Sequence, residues 1–354
     1  MRAMVTMGHG GLEQMVLHPD WPKPEPGPGE VLLRVLACGL NNTDVNTRSG
    51  WYSKAVSEAT TGGAYDEVDD ADPTWGGAPI TFPRIQGADV CGEVVAVGAG
   101  VDPARVGERV ITDGWLRDPD DPGNMDKTGY YGSERNGGYA EYTTTPAVNA
   151  LVVNSDLSDA ELATFSCSYS TAEGMLTRAS VTEADTVLVP GASGGVGGAL
   201  VQLAKRRGAR VIAMASEAKH EEVAKLGPDM LLERAPGDLS GALAGENITV
   251  VADVVGGAYW PKLIDILERG GRYVSSGAIA GPMVDLDLRT FYLRDLSFFG
   301  STIIDPGVMP ALVRYIEAGE IKPVLAATYP LEELREAQAT FIAKKHTGNI
   351  VVVP

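Results

Sequence analysis

Small residues in the middle of the chain are spaced as a phosphate-binding turn requires. Glycines at this spacing permit a tight turn, leave the backbone bare beside a diphosphate, and let the next helix pack closely. The backbone N–H groups at the start of that helix attract an anion. We therefore predict that five residues of the turn bind the pyrophosphate of a dinucleotide. They are Ala192, Ser193, Gly194, Gly195 and Val196, followed by Gly197.

The segments around this turn have the pattern of a strand, a helix and a second strand. The apolar run 187–189 predicts a strand that is buried on both faces of a parallel sheet. Apolar residues at three- and four-residue spacing predict a helix from Val196 to Arg207, which stops at Gly208. A second strand at 210–215 completes a right-handed βαβ unit.

The end of the second strand bears on the choice of cofactor. An acidic residue about 20 positions beyond the glycine motif would bind the ribose 2′-hydroxyl of NADH. Ser216 stands at that place, and Lys219 follows in the next turn. Glu217, between them, favours NADH instead. We predict NADPH as the cofactor, with Ser216 and Lys219 at its 2′-phosphate.

Composition limits the classes of partner. The chain has 354 residues, more than one hydrophobic core usually contains, so two domains are expected. Its 47 acidic and 29 basic residues give a net charge of −18, which argues against binding to nucleic acid or to an anionic membrane. The sequence has neither a long apolar window nor the apolar core of a signal peptide. We expect a cytoplasmic protein with a small-molecule substrate.

The pattern of elements changes along the chain. Short β runs separated by Gly and Pro turns dominate the first 150 residues. From about Ala160 strands alternate with helices, among them a helix at 261–268 and a strand at 272–276, which predicts a doubly wound parallel sheet. Two amphipathic helices, 312–318 and 331–343, and an apolar strand, 349–353, close the chain. The fold class predicted is α/β, with a β-rich domain beside a Rossmann domain.

Several motifs, taken together and in order, resemble the medium-chain dehydrogenase/reductase superfamily over nearly the whole chain. They are Cys38-Gly-Leu-Asn-Asn-Thr-Asp44, Gly87-Ala-Asp89, Gly137-Gly-Tyr-Ala-Glu-Tyr142, Asp253-Val-Val-Gly-Gly257 and Leu293-Arg-Asp-Leu-Ser-Phe-Phe-Gly-Ser301. The resemblance implies a GroES-like catalytic domain at 1–155 and 306–354, and a Rossmann NADP-binding domain at 156–305. It further implies an active site in the cleft between the domains, and adds Thr171, Val254 and Gly277 to the cofactor-binding residues.

The same resemblance bears on metal. In the zinc-dependent branch a cysteine stands where this chain has Asn41, and a histidine stands where it has Ala88. Cys167 remains at a place similar to the third ligand, and one thiolate does not hold catalytic zinc, which takes three protein ligands. No cysteine occurs between Trp115 and Gly138, where a structural zinc site would lie. We predict that no metal is bound.

Without a Lewis acid, a carbonyl is polarised by hydrogen bonds, which favours substrates that accept hydride at conjugated carbon. The run 39–44 followed by Arg48-Ser-Gly-Trp-Tyr52 is similar to the quinone oxidoreductase and enoyl reductase branches. This resemblance implies that Asn41 lies by the nicotinamide and substrate, that Tyr52 is a proton or hydrogen-bond donor, and that Thr171 lies near the carboxamide. Alternatively, Asn41 satisfies its own turn and Tyr52 only packs.

Two other functions stay open. A metal-free alcohol or aldehyde oxidoreductase would need Thr43 in a proton relay. A non-catalytic NADPH-binding protein is the third possibility, because a fold alone does not establish chemistry.

Members of this superfamily commonly pair edge strands, so we expect a homodimer through the apolar strand at 296–304.

Between Lys54 and Arg84 the chain has no basic residue, and acidic residues accumulate. The simplest interpretation is a solvated acidic loop. Alternatively, the segment is a lid or a wall of the substrate pocket, with Tyr65 and Trp75 as its apolar surface. A second loop, 117–135, also borders the predicted cleft. The acidic residues of the first segment are Glu58, Asp66, Glu67, Asp69, Asp70 and Asp72.

Overall fold

A computed structural model describes residues 1–65, 68 and 79–354. Most of the acidic segment singled out above, from Asp66 through Asp72 and on to Trp75, lies outside the described residues. The chain divides into two compact units. The first comprises 1–56, 61–167 and 305–354, and the second comprises 57–60 and 168–304. The predicted domain boundaries at 155/156 and 305/306 stay predictions.

The described elements are numbered in chain order. The strands are β1 Ala3–Thr6, β2 Met15–His18, β3 Glu30–Gly39, β4 Asp89–Val97, β5 Arg109–Thr112, β6 Trp115–Leu116, β7 Gly129–Tyr130, β8 Tyr142–Pro146, β9 Ala150–Val152, β10 Thr186–Pro190, β11 Arg210–Ala215, β12 Met230–Glu233, β13 Ile248–Asp253, β14 Leu267–Ser275, β15 Ser297–Gly300, β16 Leu325–Pro330 and β17 Asn349–Val353. The α-helices are α1 Asn42–Ser49, α2 Asp159–Leu162, α3 Ser166–Arg178, α4 Gly195–Arg206, α5 His220–Ala224, α6 Leu239–Ala242, α7 Trp260–Asp265, α8 Leu288–Leu293, α9 Val308–Glu317 and α10 Leu334–Ile342. Short 3₁₀ helices include Glu217–Lys219, directly after β11, and Leu331–Glu333, directly before α10.

The second unit contains a parallel sheet in the order β12-β11-β10-β13-β14-β15. In this order the chain starts in the middle, at β10, moves outward through β11 and β12, and then returns to build the other half from β13. That is the strand order of a dinucleotide-binding fold, with its switch point between β10 and β13. Val187, Leu188 and Val189 of β10 are fully buried, as expected of a strand covered on both faces. The predicted βαβ unit is confirmed.

The first unit contains a mainly antiparallel sheet in the order β16-β17-β3-β4-β5-β9, with β8 also paired to β3. The carboxyl-terminal strand β17 pairs with β3, Val351 opposite Gly39, so residues from both chain ends build one sheet. This pairing agrees with the predicted two-segment catalytic domain. On its other side β3 pairs with β4. Asp89, the first residue of β4, therefore lies opposite Gly39, the last residue of β3.

One boundary in the second unit differs from the sequence prediction. A helix at 261–268 and a strand at 272–276 were expected, whereas α7 ends at Asp265 and β14 already begins at Leu267. Leu267 pairs with Ile248 of β13, and the register then shifts before Arg272 pairs with Val250. Gly270, at φ +75°, lies in this irregularity. The pairing with β13 therefore outweighs the local helical pattern.

Among the described residues, none of the helices has the length and apolarity needed to cross a membrane.

Candidate functional site

The turn after β10 leaves the start of α4 open to a ligand. Gly191 adopts φ +69°, and its carbonyl accepts from the N–H of Gly194 at 3.0 Å, which closes the turn. Gly194 caps the 12-residue α4 and has no side chain to accept from the helix N–H groups. A Cβ added to Gly194 would meet no atom nearer than 3.6 Å, so there is space beside the backbone. These residues therefore fit a diphosphate.

The other predicted cofactor residues of the second unit lie at the same edge of the sheet. Val254 follows β13 and Gly277 follows β14, and a Cβ on Gly277 would lie 3.2 Å from the carbonyl oxygen of Val254. Asp253 shapes this corner, since its carboxylate accepts from the N–H of Val255 at 2.7 Å and from the hydroxyl of Tyr273 at 2.8 Å. Burial raises the pKa of Asp253, and these hydrogen bonds oppose the rise.

The structure places Ser216 where the sequence predicted it, directly after β11, half-buried. Lys219 ends the following 3₁₀ helix, and burial lowers its pKa. Glu222 opposes this effect, and the positive charge of Arg234, directly after β12, adds to it. Sequence reasoning missed Arg234, although it follows the neighbouring strand. Glu233 also lies here, its Oε2 accepting from the Glu217 N–H at 3.1 Å.

Thr171, the remaining cofactor residue predicted in the second unit, is half-buried on α3, which is not a strand of this sheet. The structure thus gathers Ala192, Ser193, Gly194, Gly195, Val196, Ser216, Val254 and Gly277 at the carboxyl ends of the strands, with Lys219 close behind.

In the first unit, two buried carboxylates surround the start of α1. Asp44 Oδ2 accepts from the backbone N–H of Asn41 at 2.8 Å, and its Oδ1 accepts from the N–H of Gly87 at 3.2 Å. Burial raises the pKa of Asp44 to about 6, against the effect of these hydrogen bonds. Asp44 thereby holds the loop before α1 and the loop before β4 together.

Asp89, the second carboxylate, is fully buried at the start of β4. Its Oδ2 accepts from Nδ2 of Asn41 at 3.0 Å, and its Oδ1 accepts from the backbone N–H of Cys167 at 2.8 Å. Burial raises the pKa of Asp89 to about 7; the Asn41 hydrogen bond opposes the rise and the charge of Asp44 adds to it. The sequence motif contained Asp89, but reasoning from the sequence assigned it no role.

Tyr52 follows α1 and is half-buried, with its ring against Trp51. Burial raises the pKa of Tyr52, while hydrogen bonds to Thr43 and Asn46 oppose the rise. Thr43 is the residue that an alcohol oxidoreductase would need as a proton relay. Cys167 and Asp44 add smaller contributions that raise the pKa of Tyr52, so Tyr52 lies near the polar group formed by Asn41, Asp89 and Cys167.

The side chains at the three positions where the zinc branch has ligands end in a carboxamide, a methyl group and a thiol. Asn41 donates to Asp89, Ala88 is buried, and the thiol of Cys167 is hydrogen bonded to Tyr130. This set does not fit catalytic zinc, which needs three protein ligands. Nowhere in residues 1–65, 68 and 79–354 do three His, Cys, Asp or Glu side chains cluster as a metal site. Zinc independence stays a prediction.

Comparisons with known proteins agree with this architecture. The family model described as "Alcohol dehydrogenase GroES-like domain" matches residues 27–155, and the one described as "Zinc-binding dehydrogenase" matches residues 195–318. A solved structure, a putative alcohol dehydrogenase from Sinorhizobium meliloti 1021, is 47% identical, with a TM-score of 0.91 over 100% of this chain and 96% of that one. The chain belongs to the medium-chain dehydrogenase/reductase superfamily.

Two curated relatives of this superfamily member are more distant. The acryloyl-coenzyme A reductase of Metallosphaera sedula is 28% identical over 99% of both chains. The chloroplastic NADPH-dependent alkenal/one oxidoreductase of Arabidopsis thaliana is 26% identical over 100% of this chain and 80% of its own. The predictions of superfamily and fold class are confirmed. The protein is an oxidoreductase with a fold that binds a nicotinamide dinucleotide.

Proposed function

We propose that this protein reduces activated alkenes, such as enones and enoyl compounds, or quinones, with NADPH and without zinc. The observation that carries the proposal is the bond between Asn41 and Asp89, because it occupies a side chain at a position where the zinc branch has a ligand. Hydrogen bonds then have to polarise the substrate carbonyl, and they suffice for conjugated acceptors more readily than for simple ketones. The names of the two curated relatives, which refer to acryloyl-coenzyme A and to alkenals, support this substrate class.

The residues of the second unit hold the cofactor in this proposal. The open N-terminus of α4 and the turn 191–196 bind the diphosphate, while Ser216, Lys219 and Arg234 surround the 2′-phosphate. When bound, NADPH supplies the hydride. Thr171, Val254 and Gly277 are assigned to the nicotinamide half.

The residues of the first unit act on the substrate. Negative charge develops on the carbonyl oxygen of an enone or quinone as it accepts hydride, and a donor at that oxygen lowers the barrier. Tyr52 can donate a hydrogen bond to this oxygen, because its hydroxyl is protonated at neutral pH, and burial raises its pKa further. Asn41 contributes its amide to the same polar group.

A substrate panel tests the proposal. Enones, quinones, enoyl thioesters, saturated aldehydes and ketones, and simple alcohols are compared with NADPH and NADH, using protein that has been treated with a chelator. We expect turnover of conjugated substrates with NADPH, undiminished by the chelator. Zinc at about one atom per chain in protein purified without added metal, with activity lost on its removal, would contradict the proposal.

A metal-free alcohol or aldehyde oxidoreductase is the second candidate, favoured by the hydrogen bond between Tyr52 and Thr43 and by the name of the S. meliloti relative. Fast oxidation of a simple alcohol, with no conjugated substrate accepted, would select it. Binding of NADPH without turnover of any substrate in the panel would select the non-catalytic alternative.

We further propose that the protein is a two-fold homodimer. β15 is the last strand of the parallel sheet, and exposed apolar side chains precede it: Met283, Leu288, Tyr292 and Leu293 are each at least 58% exposed. Within the described part of the chain β15 has a strand partner on one side, and such an edge with an apolar surface beside it is typical of an interface. Light scattering should give the dimer mass for the wild type and a lower mass for Leu293→Lys. The control Val148→Lys, at an exposed site of the first unit, should stay dimeric.

A further inference from the structure

Asp89 uses both carboxylate oxygens to connect two segments that are far apart in sequence. Oδ2 accepts from the side chain of Asn41, 48 residues away, and Oδ1 accepts from the backbone of Cys167, 78 residues away. The side chain has no solvent exposure, so water does not replace either donor. The loop before α1 and the start of α3 are therefore joined through one buried carboxylate.

Two contacts hold the amide of Asn41: its Nδ2 donates to Asp89, and the side chain also faces the backbone N–H of Asp44 in a capping box at the start of α1. In its charged form Asp89 only accepts hydrogen bonds, and its Oδ2 accepts from Nδ2 of Asn41 at 3.0 Å. Turning the amide over would set Oδ1 against the carboxylate, with two acceptors facing each other in a buried place. The backbone of Asn41 is held as well, by the bond from its N–H to Asp44. Asn41, 7% exposed, thus has one orientation for its Oδ1 and its second amide hydrogen.

The electrostatic surroundings make the two donors important. The charge of Asp44 raises the pKa of Asp89, and the charge of Asp89 in turn contributes to the raised pKa values of Cys38, Tyr130 and Tyr139, each of which is raised mainly by burial. The groups that favour the charged form of Asp89 are the amide of Asn41 and the N–H of Cys167. Loss of the Asn41 contact leaves a buried charge with less compensation, so both partners are constrained.

We propose that Asp89 is a positioning residue of the reductase site, which fixes the orientation of the Asn41 amide and ties Asn41 to the start of α3. The inference rests on the proposed function. In a zinc enzyme of this superfamily a metal ion would join the positions of Asn41 and Cys167 by coordination. Here a protein carboxylate joins them by hydrogen bonds.

The isosteric variant Asp89→Asn tests the role. The side chain of an asparagine at 89 has one acceptor oxygen, and its nitrogen only donates. It therefore does not replace both carboxylate oxygens that accept from Asn41 and Cys167. The Asn41 amide then loses its fixed orientation. We expect kcat to fall about tenfold to a hundredfold, the range found when a partner that orients a reactive group is removed. The Kd for NADPH should stay within twofold, because the diphosphate site is made by the turn after β10.

A readout without turnover accompanies the kinetics. The side-chain amide signals of Asn41, assigned by their loss in Asn41→Ala, should show slow hydrogen exchange in the wild type and should move and exchange faster in Asp89→Asn. The matched control is Asp113→Asn, which removes a buried carboxylate of the same unit that pairs with Arg117. This control should lower stability but leave kcat per folded molecule and the Asn41 signals unchanged.

The exchanged pair Asn41→Asp with Asp89→Asn separates the stability of this contact from the need for an amide at position 41, and it provides a folded protein if Asp89→Asn alone does not fold. It restores a hydrogen bond between the two side chains, so the free energy of unfolding should recover while kcat stays low. Recovery of kcat together with stability would show a structural role and overturn the proposal. A folded Asp89→Asn protein with wild-type kcat or unchanged Asn41 signals would overturn it as well. If the proposed function itself is wrong, the wild-type protein does not turn over conjugated substrates in the panel. That result is distinct from an effect of the Asp89 variants.

Discussion

Gly197 of α4 packs directly against the carbonyl of Gly191: a Cβ added to Gly197 would lie 2.2 Å from that oxygen. Gly197→Ala should therefore shift the helix or the turn, at a cost of about 1–3 kcal/mol in the free energy of unfolding. That cost outweighs the roughly 1 kcal/mol by which alanine favours a helix over glycine. Chemical denaturation and the NADPH dissociation constant are the measurements, and both should worsen.

The control for this substitution is Gly194→Ala, three residues earlier. There the added Cβ meets no atom closer than 3.6 Å, and φ is −83°, which any residue adopts. The free energy of unfolding should hold, while NADPH affinity falls because the Cβ enters the space beside the diphosphate. Equal stability losses in the two variants would contradict the close packing of Gly197.

Cofactor preference should follow the residues after β11 and β12. Ser216→Asp places a carboxylate near the 2′-phosphate and should move preference toward NADH, whereas Lys219→Ala should weaken NADPH alone. A charge-assisted hydrogen bond contributes about 1.5–3 kcal/mol, or roughly tenfold to a hundredfold in affinity. Dissociation constants for both cofactors check this, with Lys225→Ala, at an exposed position directly after α5, as control. Equal wild-type affinities for the two cofactors would refute the assignment.

Removal of the Tyr52 hydroxyl should lower catalysis more than binding. Tyr52→Phe should reduce kcat about a hundredfold, the order expected for a lost proton or hydrogen-bond donor, with little change in NADPH affinity. Because burial raises the pKa of Tyr52, this group should produce no alkaline loss of kcat below pH 10.0, the ordinary value for tyrosine. The control is Tyr142→Phe. Tyr142 lies in β8, and the amine of Lys23 lies over its ring. Wild-type kcat in Tyr52→Phe would leave Tyr52 as a packing residue.

Asp44 should make stability fall as pH rises. Its pKa is about 6 in the folded protein and 3.8 in the reference state, so between these values the folded chain binds the additional proton. The contribution is complete below pH 3.8 and is lost as pH passes 6. Asp44→Asn removes this dependence, so its destabilisation relative to wild type should shrink by about 2–4 kcal/mol from pH 4 to pH 7. Urea denaturation at both pH values measures it, and a difference of the opposite sign would contradict burial as the cause.

The ion pair between Arg272 and Asp185 should matter to stability, because the Asp185 side chain is only 6% exposed. Arg272 also donates to the carbonyls of Ala179 and Ser180, just beyond α3. Arg272→Met removes the donor to these carbonyls and the charge partner of the buried Asp185, which keeps its hydrogen bonds from Thr182 and Thr249, and should cost about 3 kcal/mol in the free energy of unfolding. Arg269→Met breaks a pair with both side chains at least 70% exposed and should cost under about 1 kcal/mol. Similar losses in both would contradict the argument.

The nucleotide-binding half was predictable from the sequence because its determinants are local. The glycine turn, the helix from 195 and the strand that ends at Ala215 depend on residues within a few positions of one another, and all are observed. Local pattern was less reliable at β14, where pairing with β13 starts the strand at Leu267. In α9, Pro310 lies in the first turn, where a missing N–H costs nothing, so the helix begins at Val308, before the predicted 312.

The contacts of the candidate site were decided by the tertiary structure. The sequence presented Asn41, Asp89 and Cys167 as three separate motifs, and only the pairing of β3 with β4 together with the start of α3 brings them to one buried carboxylate. Likewise, the charge of Arg234 acts on Lys219 because β12 lies beside β11. A backbone turn is set by the residues that form it, whereas a hydrogen bond between residues 48 or 78 positions apart depends on how the whole unit packs.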